Sequence, residues 1–149
     1  MFLHQFTIVV YTSSYWNNVT LYNLSNVDFP GIHWAGWYDI FLQDTIDHFT
    51  AMRAEGSTPE ARQSKLLIGP WTHGGMNNPI GDINYGMAAS AFLIDMKMDL
   101  SSLQVRWFDH FLKGIDTGVL NEAPIKLFVL GANVWRDEQE WPLARIDAF

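Results

Sequence analysis

Residues 30–56 read PGIHWAGWYDIFLQDTIDHFTAMRAEG, and a change of hydrophobic period inside this stretch decides the fold class. A short apolar run, residues 31–36, is bounded by Pro30 and Gly36; further on, Ile46, Phe49 and Met52 recur three residues apart until Gly56. A brief apolar run bounded by turn residues fits a buried strand, whereas spacings of three to four put side chains on one face of a helix. The stretch predicts strand, loop and helix, with Asp39 in the loop between two aromatics.

The same order repeats downstream. EGSTPEARQS, residues 55–64, is a polar connection with Pro59, and KLLIGP, residues 65–70, is a second short apolar run. WTHGGMNNPIGDINYG, residues 71–86, is a long loop rich in Gly, Asn and Pro; Leu100, Leu103, Trp107 and Phe111 then keep helical spacing up to Gly114. Glycine there is a natural helix stop. IKLFVLG, residues 125–131, predicts a third strand, and NVWRDEQEWP, residues 133–142, is a charged, aromatic-flanked segment leading into the tail. Strands alternating with helices imply a parallel sheet with right-handed crossovers and both faces covered. Two or three strands are too few for such a sheet, so the architecture is that of part of a larger α/β fold. An uncovered edge would favour self-association.

Composition narrows the function classes. The chain has 149 residues, 48% of them apolar, enough for the core of one domain. Its net charge of -7 disfavours nucleic acid, whose binders rely on clustered Lys and Arg. There is no cysteine, which excludes disulfides and thiolate metal sites without fixing a compartment. The apolar start, MFLHQFTIVVYTSS, has no basic leader region and falls well short of the ~20 residues that span a bilayer, so neither signal nor anchor is expected. The triplets Asn18-Val19-Thr20 and Asn23-Leu24-Ser25 match a glycosylation acceptor.

In an open parallel sheet, the loops leaving the carboxyl ends of the strands line the active crevice. Asp39 follows the first predicted strand and His73 the second, and adjacent strands lie roughly 4.8 Å apart, so the two side chains could meet. A carboxylate on one imidazole nitrogen fixes the tautomer and leaves the other nitrogen to act as a base. The competing readings are ordinary ones: Asp39 as a turn or helix-cap residue, His73 as a solvated loop residue. Trp34, Trp37, Trp71, Trp107, Trp135 and Trp141 are read first as core, with Trp37, Tyr38 and Trp71, which flank Asp39 and His73, as the pocket candidates. His33, His48 and His110 show no metal-ligand spacing, and neither metal nor cofactor is expected. Asp109 and Lys113, four apart on the last helix, fit a surface ion pair.

Four stretches, GWYDIF, LLIGPWTHG, RWFDHFLKG and PIKLFVLGANVWRDEQEWP, occur in an order and at intervals that resemble the cocaine esterase and NonD-type acyl hydrolases, relatives of the Xaa-Pro dipeptidyl-peptidases and the α-amino acid ester hydrolases. The resemblance covers roughly residues 15–142. It implies a partial α/β-hydrolase fold over residues 15–120, the beginning of a C-terminal β jelly-roll over 121–149, and no assignment for 1–14. In that fold a nucleophilic Ser, an acid and a His follow in this chain order, which maps the acid onto Asp39 and the base onto His73. The family's nucleophile lies in an upstream G-x-S-x-x-G elbow, and none of Ser13, Ser14, Ser25, Ser57, Ser64, Ser90, Ser101 and Ser102 has that context. The implied function is that of a piece of a serine-dependent hydrolase acting on a small ester, amide or peptide. The competing expectation is a catalytically silent chain that pairs through its open sheet, with itself or with a Ser-bearing partner.

Overall fold

The computed structural model describes residues 24–144. Residues 1–14 and the sequon residues Asn18 and Asn23 lie outside them. In chain order come β1 (Ile32–Tyr38), α1 (Leu42–Glu55), β2 (Lys65–Thr72), α2 (Leu100–Lys113), β3 (Ile125–Val129) and β4 (Val134–Glu138), with short 3-10 turns between them. The strands form one four-stranded sheet in the order β1-β2-β3-β4. β1, β2 and β3 run parallel, as expected, but β4 runs antiparallel to β3, so the sheet is mixed. Residues 125–138 thus continue the sheet begun by β1 and β2.

The two helices cover opposite faces. Ile46 and Phe49 of α1 pack with Leu66, Ile68, Ile125 and Leu127 on one side. On the other, Leu103 and Trp107 of α2 join Leu67, Trp71, Phe128 and Trp135. Alternate residues of β2 and β3 therefore serve alternate cores, as the period-two geometry of a strand requires. α2 begins at Asp99, whose carboxylate accepts the Ser102 N–H at 2.8 Å. It ends at Gly114, where the N–H of Gly114 bonds the His110 carbonyl and that of Ile115 bonds the Asp109 carbonyl. The expected Asp109–Lys113 ion pair is present at 2.5 Å.

Between β1 and β2 the register slips. Gly36 stands opposite Gly69, yet Tyr38 stands opposite Thr72, so β2 holds one residue more than β1 over that interval. Pro70 lies in this bulge, and a bulge is where an interior strand tolerates proline. The crossing is tight: a Cβ on Gly36 would lie 1.9 Å from the Trp71 carbonyl oxygen, and one on Gly69 would lie 2.3 Å from the Trp71 indole. Both positions need glycine for close approach.

Pro70 has a second consequence. Leu66 donates its N–H to the Pro124 carbonyl, and the pairing continues as Leu66 with Ile125 and Ile68 with Leu127. The two-residue repeat of a parallel ladder puts the next rung between the nitrogen of residue 70 and the Phe128 carbonyl. Proline has no N–H to give, and the β2–β3 pairing stops at Ile68. The Phe128 carbonyl is bonded instead by the Trp37 indole N–H, at 2.6 Å.

Candidate active site

Both strands run two residues beyond the ends predicted from Gly36 and Pro70. β1 ends at Tyr38 and β2 at Thr72, so Asp39 and His73 are each the first residue after their strand. Because Tyr38 and Thr72 are register partners, Asp39 and His73 emerge side by side. Without the extra residue at the bulge, Tyr38 would face Trp71, and Asp39 would stand beside Thr72. The bulge is what aligns the acid with the imidazole.

Asp39 Oδ1 lies 3.1 Å and Oδ2 3.3 Å from His73 Nδ1. Asp39 Oδ1 also accepts the Phe41 N–H at 2.8 Å, closing the turn that leads into α1. Both readings of Asp39 thus hold at once: it shapes the turn and it faces the histidine. The Asp39 side chain is 12% exposed and that of His73 60%. His73 occupies a two-residue turn closed by reciprocal bonds between Thr72 and Gly75. Its Nε2 has no hydrogen-bond partner among the described residues, and no described serine hydroxyl bonds it. An imidazole with Nδ1 turned to a carboxylate presents Nε2 as a proton acceptor.

A cleft of about 140 Å³ opens at this pair, lined by Trp34, Asp39, Phe41, Trp71, His73 and Met76 among others. Of the three aromatic pocket candidates, only Trp71 lines it. Trp71 is also core: it is 1% exposed and its indole N–H bonds the Ala89 carbonyl at 2.6 Å. Trp37 packs on the α1 face and lines a separate hollow with Leu127, Val129 and Leu143. Tyr38 turns outward, and its hydroxyl bonds that of Tyr85.

Residues 73–99 contribute contacts that spacing did not indicate. Trp135 of β4 donates its indole N–H to the Ala88 carbonyl at 2.6 Å, next to the carbonyl taken by Trp71. The Trp71 and Trp135 rings lie 5.8 Å apart, and Phe128 meets both Trp135 and Tyr85 edge-on. The long loop is therefore fastened to the sheet by two indoles and one phenol. Phe41 was also missed: its ring meets the His73 imidazole edge-on, centroids 4.9 Å apart.

Other polar groups lie apart from the pair. His33 faces α1 with its Nε2 buried and unpartnered, and burial, reinforced by His48, pushes its pKa down to about 4. A larger hollow, about 410 Å³, lies at the opposite end of the sheet. Its lysines are already paired, Lys65 with Glu122 and Lys126 with Asp137. Among the described residues no three His, Asp or Glu side chains converge as metal ligands, and no helix is long and apolar enough to cross a membrane.

A parallel sheet with an acid and a histidine at the ends of adjacent strands agrees with what comparison of the whole chain finds. The chain belongs to the X-Pro dipeptidyl-peptidase (S15) family, whose model matches residues 1–75. It is similar to the cocaine esterase of Rhodococcus sp. (strain MB1 Bresler), 28% identical over 129 residues, which make up 86% of this chain and 21% of that protein. Among solved structures it is similar to an aminopeptidase from the marine sediment archaeon Thaumarchaeota archaeon, with a TM-score of 0.63 and 18% identity, over 88% of this chain and 21% of that one. At that identity the likeness is one of fold. The chain spans about a fifth of the length of each of these two proteins.

Proposed function

We propose that this chain carries the acid and the base of a serine-dependent acyl or peptide hydrolase, with Asp39 orienting His73 and the nucleophilic hydroxyl supplied from outside it. The observation that carries the reading is the Asp39 carboxylate on His73 Nδ1, with Nε2 open to a cleft. Nε2 takes the serine proton as the hydroxyl attacks an ester or amide carbonyl, and returns it to the leaving alcohol or amine. Asp39 holds the tautomer and stabilises the imidazolium between those steps. Family membership and the likeness to a cocaine esterase support an ester, amide or short peptide as substrate. The jelly-roll expected over residues 121–149 belongs to this same reading. The segment that completes the site pairs along the outer edge of β1, which has no neighbour among the described strands.

The test is hydrolysis of an activated ester by the chain alone and after addition of a serine-bearing upstream segment. The chain alone should show no burst of product, because neither nucleophile nor oxyanion donors are in place. The completed enzyme should turn over, and His73→Ala should then lower kcat by about 10⁴-fold or more. Undiminished turnover in that variant would overturn the assignment of the base. A chain that acquires no activity from any such segment would favour the silent, sheet-pairing protein.

A further inference from the structure

We propose that Phe41 is a positioning residue for the Asp39–His73 pair, fixing the carboxylate through its backbone N–H and the imidazole through its ring. The inference rests on the reading of that pair given above. Phe41 touches both partners at once. Its N–H reaches Asp39 Oδ1 at 2.8 Å, the same oxygen that lies 3.1 Å from His73 Nδ1. Its ring meets the imidazole at 4.9 Å between centroids and 75° between planes. Edge-to-face contact at this separation is the favoured arrangement of two aromatic rings.

The backbone of Phe41 is bonded at both ends. Its carbonyl accepts the N–H and the hydroxyl of Thr45, each at 3.0 Å, in the first turn of α1. The ring is thus carried on a fixed stem rather than a free loop. Helix-start chemistry does not account for a phenylalanine here. Position 41 is the cap of α1, where Ser, Thr, Asp or Asn are favoured, and Phe41 makes no side-chain cap bond. Nor does core packing account for it, since the residue is 48% exposed. What the ring does touch is the half-exposed histidine, which has only Asp39 as a hydrogen-bonding partner to limit its rotation.

The consequence can be read without turnover. A neutral imidazole bonded through Nδ1 to Asp39 carries its proton on Nδ1, whereas an unrestrained one favours Nε2. Long-range ¹⁵N–¹H correlation spectra of the 149-residue chain report the ratio of the two tautomers, with the His73 signals assigned by their loss in His73→Gln. Phe41→Ala should lower the Nδ1–H to Nε2–H ratio by about two- to tenfold, the range that ring–ring contacts of this kind supply. Phe41→Tyr, which keeps the ring, should restore it. An unchanged ratio in Phe41→Ala, alongside a changed one in Asp39→Asn, would overturn the role of Phe41 and leave the pair standing. No change in Asp39→Asn would overturn the pair itself, and a shift in Phe41→Tyr as large as in Phe41→Ala would overturn the assignment to the ring.

Discussion

Trp37→Phe should destabilise the chain through a carbonyl that Trp37 does not own. The indole N–H is the donor to the Phe128 carbonyl, in a residue with no exposed surface, at the rung where Pro70 has no N–H to offer. Removing it leaves a buried acceptor unpaired, at a cost of roughly 1–3 kcal/mol. The lost ring atoms add about 1 kcal/mol at ~25 cal/mol per Å² of apolar surface. Urea unfolding followed by far-UV circular dichroism measures the sum. With a slope of about 1.5 kcal/mol/M, a loss of about 2 kcal/mol lowers the midpoint by more than ~1 M. The control is Pro70→Ala, which returns an N–H to β2 facing the same carbonyl. In that background Trp37→Phe should cost only about 1 kcal/mol, so the double-mutant cycle yields a coupling of about 1 kcal/mol or more. Equal costs of Trp37→Phe in the two backgrounds would refute the reasoning, because they would mean that the indole and the missing amide do not serve one acceptor.

Two further outcomes follow from the strands. Gly36→Ala places a Cβ 1.9 Å from the Trp71 carbonyl oxygen, a clash with backbone that only strand separation relieves; the loss should exceed about 4 kcal/mol, and a midpoint in urea unchanged from the parent chain would refute the tight crossing. His33 is held neutral by burial and by His48, with a folded pKa of about 4 against 6.5 for the ordinary group. Between those values the unfolded chain binds more protons, so acid favours unfolding: stability falls as pH drops from about 6.5 and the loss is complete below about 4. The parent chain should lose about 2 kcal/mol between pH 7 and pH 5 that His33→Leu does not lose, and parallel pH profiles of the two would remove His33 as the cause.

Local pattern placed the helices and the core of each parallel strand well, because Ile46, Phe49, Met52, Leu103 and Trp107 do face the sheet or its turns. It failed on β4. Only Trp135 of that strand is buried, and Arg136, Asp137 and Glu138 protect an edge with charge, so no apolar run marks it. The available signal was the turn: Gly131 and Asn133, both at positive φ, join β3 to β4 as a hairpin. Trp37 was misjudged as a pocket residue for a related reason. Its neighbourhood in sequence is Asp39, but its partner in space is Phe128, whose unpaired carbonyl becomes visible only when the strands are in register.

Asp39 and His73 were found despite an error in the strands that carry them. Gly36 and Pro70 end a strand wherever the chain is free to turn, and both were read that way; in the folded chain neither does so. Gly36 stays in β1 because the Trp71 carbonyl occupies the space where its side chain would be, and Pro70 stays in β2 because the bulge removes the need for its N–H. Each strand gains two residues, and the bulge advances β2 by one against β1. Asp39 and His73 therefore meet because of a residue count that no single strand's pattern contains. The residues that look like punctuation, Gly36, Gly69 and Pro70, set the alignment of the acid with the imidazole. Conflict between local preference and the folded backbone is concentrated at the site, which is where a fold can be expected to sacrifice local consistency for geometry.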